Sequence, residues 1–205
     1  MADGAEDGGG RLKVVLLGPP GSGKGTQAGV LSQKLGVPAI STGDMLREAV
    51  TDGSPLGRKV ESIMNSGSLV DDETMAEVVR ERLARRGAGG RGDRGDAVRG
   101  FLLDGYPRTV PQAETLEQIL GEADAGLDAV VLVEVPEEEL VRRAVARQRQ
   151  DDREDVVRER LRVYREKTAP LIGYYRQRGL LCEIDGHRPI AEVTSRMLSV
   201  LGVAG

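Results

Sequence analysis

The sequence predicts an α/β fold, a single parallel sheet of five strands with helices on both faces. Three observations carry that prediction. Strand-like and helix-like segments alternate along the chain, the pattern of a parallel sheet joined by helical crossovers. The run from Ala129 to Val135 is nearly continuous in apolar, β-branched residues, as a strand covered on both faces requires. A glycine cluster, Gly18 to Thr26, separates the first apolar run from the first helical pattern.

The elements follow in order. Leu12 to Leu17 reads as a buried strand, and Thr26 to Leu35 as a helix stopped at Gly36. Val37 to Ile40 is the second strand. Ser41-Thr42-Gly43-Asp44 offers caps for a helix through Val50. Pro55 to Ser66 and Asp71 to Arg86 are two further helices, opened by Pro and Asp. Gly87 to Asp96 is Gly, Arg and Asp, with Arg-Gly-Asp twice and almost nothing to bury, so it reads as a solvated flexible loop rather than an adhesion signal. Gly100 to Asp104 is a strand, Val110 to Leu120 a helix, Ala129 to Val135 a strand and Glu137 to Arg147 a helix. Asp151 to Gly179 is largely helical with a break near Pro170. Leu181 to Asp185 is the last strand and Ile190 to Leu201 the last helix.

The chain has 205 residues, enough for one domain with a full core. Its net charge of -4 argues against nucleic acid as a partner, for which a basic domain is expected. Trp is absent and aromatics make up 2% of the residues, so the core must be aliphatic and base stacking is not the main binding mode. One cysteine, Cys182, permits no internal disulfide. No apolar run approaches transmembrane length. The acidic, glycine-rich segment Met1 to Gly10 lacks the features of a secretory signal and reads as a disordered tail on a cytoplasmic protein.

The chemistry begins at Gly18-Pro19-Pro20-Gly21-Ser22-Gly23-Lys24-Gly25-Thr26. Glycines let successive N–H groups point inward at phosphate oxygens, and the helix N-terminus adds partial positive charge. Lys24 supplies a point charge to the outer phosphates. A plain glycine turn would not need Lys24 in this register. The spacing is that of a phosphate-binding P-loop with one departure, Gly25 standing where Ser or Thr usually holds Mg²⁺. Two more segments combine strand ends, turns and arginine: Ser41 to Arg47 and Phe101 to Thr109. A third, Arg143, Arg147, Arg149, Arg158 and Arg160, lies around Asp151-Asp152.

At these residues the chain resembles the adenylate kinases. The glycine loop with Gly25-Thr26, the Ser41–Arg47 segment, the Asp104–Thr109 turn with Gln112, the Asp151-Asp152 pair and Thr168-Ala169-Pro170-Leu171-Ile172 with Tyr174-Tyr175 occur in the family's order. The resemblance runs from about Leu12 to Leu201. It implies a P-loop NTPase fold with a helical AMP-binding insertion. It also implies reversible, Mg²⁺-dependent transfer of the terminal phosphoryl group of ATP to AMP, giving two ADP. By resemblance, ATP is held by Gly21, Ser22, Gly23, Lys24, Gly25, Thr26, Arg143, Arg147 and Arg188. AMP is held by Thr42, Arg47, Ser68, Leu69, Val70, Gly105, Tyr106, Pro107, Arg108, Gln112, Arg149 and Arg160. The catalytic set is Lys24, Arg108, Arg149, Arg160 and Asp104, the last organising waters around Mg²⁺ without a direct protein ligand. Arg142, Arg153, Arg162 and Arg165 read instead as acid-paired surface arginines, a reading set aside for Arg47 and Arg108 because each sits at a glycine turn beside a strand end. Thr42, Thr109 and Gln112 favour AMP over UMP or CMP. The alternatives are a UMP/CMP kinase and a non-catalytic adenine nucleotide sensor. The family also suggests a monomer without membrane partners.

One departure stands out. In the family a lid segment lies between the arginines matching Arg147 and Arg149, and here only Gln148 separates them. Cys182 and His187 cannot make a four-ligand zinc set, so no zinc is expected. Two residues apart on a helix, Arg147 and Arg149 are expected to point to different sides. The domain layout is therefore a tail over residues 1–10 and one kinase domain over 11–205. Within that domain, 41–70 is the AMP-binding part, 87–97 a flexible loop and 147–150 a vestigial lid.

Overall fold

The computed structural model describes residues 12–84, 96–147, 149 and 152–203. The strands are β1 (Lys13–Leu17), β2 (Ala39–Ser41), β3 (Phe101–Asp104), β4 (Ala129–Glu134) and β5 (Leu181–Asp185). All pairings among them are parallel, in the order β2-β3-β1-β4-β5. The helices are α1 (Lys24–Leu35), α2 (Thr42–Thr51), α3 (Pro55–Asn65), α4 (Asp72–Ala84), α5 (Asp96–Arg99), α6 (Val110–Gly121), α7 (Glu137–Ala146), α8 (Glu154–Val163), α9 (Pro170–Gln177) and α10 (Ile190–Val200). Among the described residues no helix is long and apolar enough to cross a membrane.

Strand alternation builds a core on each face of the sheet. Val14, Leu16, Leu102, Val131 and Val133 pack against Ala28, Leu31 and Leu35 of α1 and Val193, Met197 and Leu198 of α10. Val15, Leu17, Leu103, Val130 and Leu132 face the other way. They meet Met75 and Val79 of α4, Leu116 and Leu120 of α6, and Leu171 and Tyr175 of α9. A smaller cluster, Leu140, Ala144, Val157 and Leu161, joins α7 to α8.

Local chemistry sets the helix starts. Ser41 Oγ accepts from the Asp44 N–H, Ser54 Oγ from Gly57, Asp71 Oδ1 from Thr74 and Thr109 Oγ1 from Gln112. Several boundaries differ from expectation. The first helix begins two residues early, at Lys24, because Gly23 takes a left-handed conformation and serves as its cap. The second strand moves to Ala39–Ser41, where its partners are Leu102, Leu103 and Asp104. The expected break near Pro170 is a π-helical turn, Tyr164–Thr168, that carries α8 into α9. Proline offers no N–H to the previous turn, and the register slips so that the Ala169 N–H donates to the Tyr164 carbonyl at 2.8 Å.

The tail over 1–10, residues 87–95 of the glycine-rich segment, and residues 148 and 150 of the expected lid lie outside the described residues, as does Asp151. The end of the glycine-rich segment does not fit a flexible loop. Asp96 and Ala97 begin α5 and are buried, Asp96 being held by an ion pair with Arg82 of α4.

Candidate active site

The strand register brings the carboxyl ends of three strands level. Leu16 of β1 and Ser41 of β2 both pair with Asp104 of β3. The loops leaving these ends therefore converge at the point where the chain departs in different directions, the usual place for a ligand in an open α/β sheet. A cavity of about 960 Å³ opens there.

The glycine loop forms one wall. Gly21 has φ of 87° and lies against α7. A β-carbon there would sit 2.5 Å from the Leu140 carbonyl oxygen, so only glycine allows the approach. Lys24 turns its ammonium back over the loop, donating to the carbonyls of Gly18 at 2.7 Å and Pro19 at 2.9 Å and to Ser22 Oγ at 3.3 Å. Burial pushes its pKa down to about 8, Arg108 and Arg147 adding to the effect while the Asp104 carboxylate opposes it. Asp104 stands over the same loop, with Oδ2 3.5 Å from where a β-carbon on Gly25 would lie.

The opposite end of the cavity is an apolar slot. Leu46 of α2, Met64 of α3, Val70 and Met75 line it together with Gly67, Ser68 and Leu69. Gln112 of α6, 2% exposed, faces this slot. Its Oε1 accepts from the Arg108 backbone N–H at 2.8 Å and its Nε2 donates to Asp72 Oδ1 at 2.7 Å. Thr42, also buried, lies at the same end, and its hydroxyl donates weakly to the Asp104 carbonyl at 3.4 Å.

Arginines occupy the space between the two ends. Arg108 Nε donates to the Gly105 carbonyl at 2.9 Å. Arg147 grips Asp152 with two bonds, of 2.9 and 2.7 Å, and the Arg149 N–H donates to the same carboxylate at 3.0 Å. Arg160 lies 3.8 Å from it. Burial alone would raise the Asp152 pKa, but these hydrogen bonds and charges hold it below the usual carboxylate range. Arg149 reaches across the cleft to Asp44 Oδ1 at 3.3 Å. Burial lowers the Arg149 pKa, and the charges of Arg47 and Arg147 add to that. Arg143 donates to Glu139 and to the Gly186 carbonyl, and Arg188 pairs with Asp185.

Most of the sequence-predicted residues meet in this one cavity. Gly21 to Thr26, Thr42, Arg47, Ser68 to Val70, Asp104, Gly105, Pro107, Arg108, Gln112, Arg143, Arg147, Arg149, Arg160 and Arg188 all line it. Tyr106 does not. Its ring is 1% exposed and packs into the core, and its hydroxyl has no partner in the structure. Arg47 does not escape pairing with an acid, since Asp44 lies one turn before it, 2.5 Å away. Arg147 and Arg149 send their guanidinium groups to different acids: that of Arg147 holds Asp152, whereas Arg149 meets Asp152 only with its backbone N–H and reaches Asp44 with its side chain. Arg142, Arg153, Arg162 and Arg165 pair with Glu139, Asp155, Glu159 and Glu166, and Glu137 respectively, as surface arginines do.

The sequence reading missed Leu46, Met64 and Met75, whose helical spacing marks them as core. It also missed Asp44 and Asp72, which look like ordinary first-turn acids. Among the described residues no group of three or more His, Cys, Asp or Glu could hold a metal ion directly.

Comparison with known proteins gives a consistent set of relatives. The family model described as Adenylate kinase matches residues 16–180. A protein named Adenylate kinase from Thermus thermophilus is 50% identical, over 93% of this chain and 97% of that protein. Its namesake from Nocardia farcinica is 49% identical, over 93% of this chain and 99% of its own length. A third, from Syntrophotalea carbinolica, is 45% identical with the same coverage as the second.

Proposed function

The chain belongs to the adenylate kinase family, and from that premise we propose how its cavity transfers the terminal phosphoryl group of ATP to AMP. One observation carries the assignment of roles. A glycine loop with Lys24 and an apolar slot with Gln112 are two ends of the same cavity, and arginines fill the span between them. Two anionic nucleotides placed end to end need that distribution of positive charge.

The donor triphosphate lies along the loop from Gly21 to Thr26, with Arg143, Arg147 and Arg188 at its flank. Lys24 exchanges its loop carbonyls for the outer phosphates. The acceptor base enters the slot beside Thr42 and the Ser68–Val70 backbone, and its phosphate faces Arg47 and Arg108. A phosphate oxygen of AMP attacks the terminal phosphorus of ATP as the bond to the bridging oxygen breaks, and that oxygen keeps the electron pair, leaving ADP on each side. Arg149 and Arg160 meet the charge spread over the moving group. Alignment and preorganised charge account for most of the rate, since the protein supplies no covalent step.

Magnesium fits this donor set only through water and phosphate. Gly25 has no hydroxyl, and Asp104 is the carboxylate standing over the loop. Bound with ATP, the ion neutralises phosphate oxygens, and Asp104 would order its waters. Residues 41–70 form the AMP-binding part and 147–150 what is left of the lid, within one kinase domain that works as a cytoplasmic monomer.

A coupled assay offering AMP, GMP, UMP and CMP in turn tests the assignment. AMP should be the preferred acceptor by orders of magnitude. Equal turnover with UMP or CMP would overturn the reading of the slot.

A further inference from the structure

The amide of Gln112 is held from both ends by groups that each have a single hydrogen-bonding sense. The backbone N–H of Arg108 can only donate, and it takes Oε1 at 2.8 Å. The carboxylate of Asp72 can only accept, and it takes Nε2 at 2.7 Å. Turning the amide over would set N–H against N–H at one end and oxygen against oxygen at the other. One N–H and one oxygen lone pair of Gln112 remain for a ligand in the slot.

Asp72 is not needed for local structure. Asp71 accepts from the Thr74 N–H at 2.8 Å and so caps α4 by itself. The carboxylate of Asp72 instead crosses to α6, where it meets Gln112 and, more loosely, the Thr109 hydroxyl at 3.3 Å. Thr109 Oγ1 in turn accepts from the Gln112 N–H. Backbone and side chain of Gln112 are thus both tied to this corner.

We propose that Asp72 is a positioning residue that fixes the donor–acceptor sense of Gln112, and thereby makes the acceptor slot select adenine over guanine. This rests on the reading of Gln112 as a base contact. Adenine presents an amino donor beside a ring-nitrogen acceptor, which match the free lone pair and free N–H of the amide as held. Guanine in the same position presents a carbonyl oxygen and a ring N–H, the reverse pair. An amide held at one end only, by the Arg108 N–H, turns over more readily and admits guanine more easily than one held at both ends.

The test is a double-mutant cycle with AMP and GMP as acceptors, using Asp72→Ala, Asp72→Asn, Gln112→Ala and the double Ala variant. Asp72→Ala should raise the KM for AMP about fivefold, the scale of one ordinary hydrogen bond, since Asp72 acts on the base only through Gln112. Its kcat should stay within about twofold and its KM for ATP should be unchanged, while the GMP-to-AMP ratio of kcat/KM rises. Asp72→Asn keeps an acceptor oxygen and should restore most of the preference for AMP. In the Gln112→Ala background, Asp72→Ala should add nothing. The proposal is overturned if Asp72→Ala leaves the ratio unchanged, if it depresses kcat on both acceptors alike, or if its effect persists without Gln112. If Gln112→Ala itself leaves the AMP preference intact, the base-contact reading fails first and the proposal goes with it.

Discussion

Lys24 shows how one residue is prepared for a ligand. Its ammonium is satisfied by two carbonyls and a hydroxyl of its own loop, so incoming phosphate trades for bonds already made. Burial with two nearby guanidinium groups brings its pKa to about 8, well under the ordinary lysine value. The charged form is the one that binds phosphate, and it is lost as pH rises through that value. kcat/KM for ATP should therefore fall about tenfold per pH unit above pH 8, while kcat holds to higher pH because bound phosphate stabilises the charge. A pH profile in which the two parameters fall together would contradict this. The linked effect on stability has the opposite sense: between about 8 and the unfolded value near 10.5 the unfolded chain binds the extra proton, so stability gains as pH rises. Lys24 was legible in the sequence because its spacing from the glycines is fixed by phosphate geometry. Asp72 was not, because nothing local separates a carboxylate that caps its own helix from one that reaches a residue 40 positions away.

At the scale of elements, strands and most helices could be read directly, since apolar runs and caps are local signals. What escaped depended on neighbours. Asp96 ends a stretch with almost nothing apolar, and among the described residues it is Arg82 on another helix that accounts for its burial. The π-helical turn follows from Pro170, but the way the helix continues past it depends on packing of both flanks. The pair α2–α3 offers a sharp test. Gly57 lies so close to α2 that a β-carbon would fall 1.9 Å from the Ala49 carbonyl oxygen and 2.7 Å from Val50 Cα. Backbone cannot yield there as a side chain tip could. Gly57→Ala should cost roughly 2–3 kcal/mol, lowering the thermal midpoint by roughly 5–10 °C. Because α2 carries Thr42 and Arg47, the KM for AMP should rise while that for ATP changes little. Thermal unfolding and two-substrate kinetics check both halves.

At the scale of the whole molecule, a lid reduced to residues 147–150, as proposed above, would leave the donor side of the cleft little chain to cover it. Only Gln148 lies between Arg147 and Arg149, where a lid segment would exclude water from the phosphoryl being moved. Activity should survive, because the cations remain clustered around Asp152. The hold on ATP should be weaker than in a relative with a full lid, and ATP should be hydrolysed slowly when AMP is left out. Side-by-side KM values for ATP and phosphate release without acceptor provide the measurement. An ATP KM equal to that of the lidded relative would show that the loop and its arginines already saturate the binding.

The strand order has a consequence for biosynthesis. β1 carries the glycine loop, yet its two neighbours in the sheet are β3 and β4, so Val14 pairs with Leu102 on one side and Ala129 on the other. The first strand of the sheet is thus flanked by strands made much later. While the ribosome is still adding the middle of the chain, β1 has neither of its sheet neighbours, and the loop has no firm seat. Nucleotide binding should therefore be acquired only once β4 has emerged and α7 has followed it to close against Gly21.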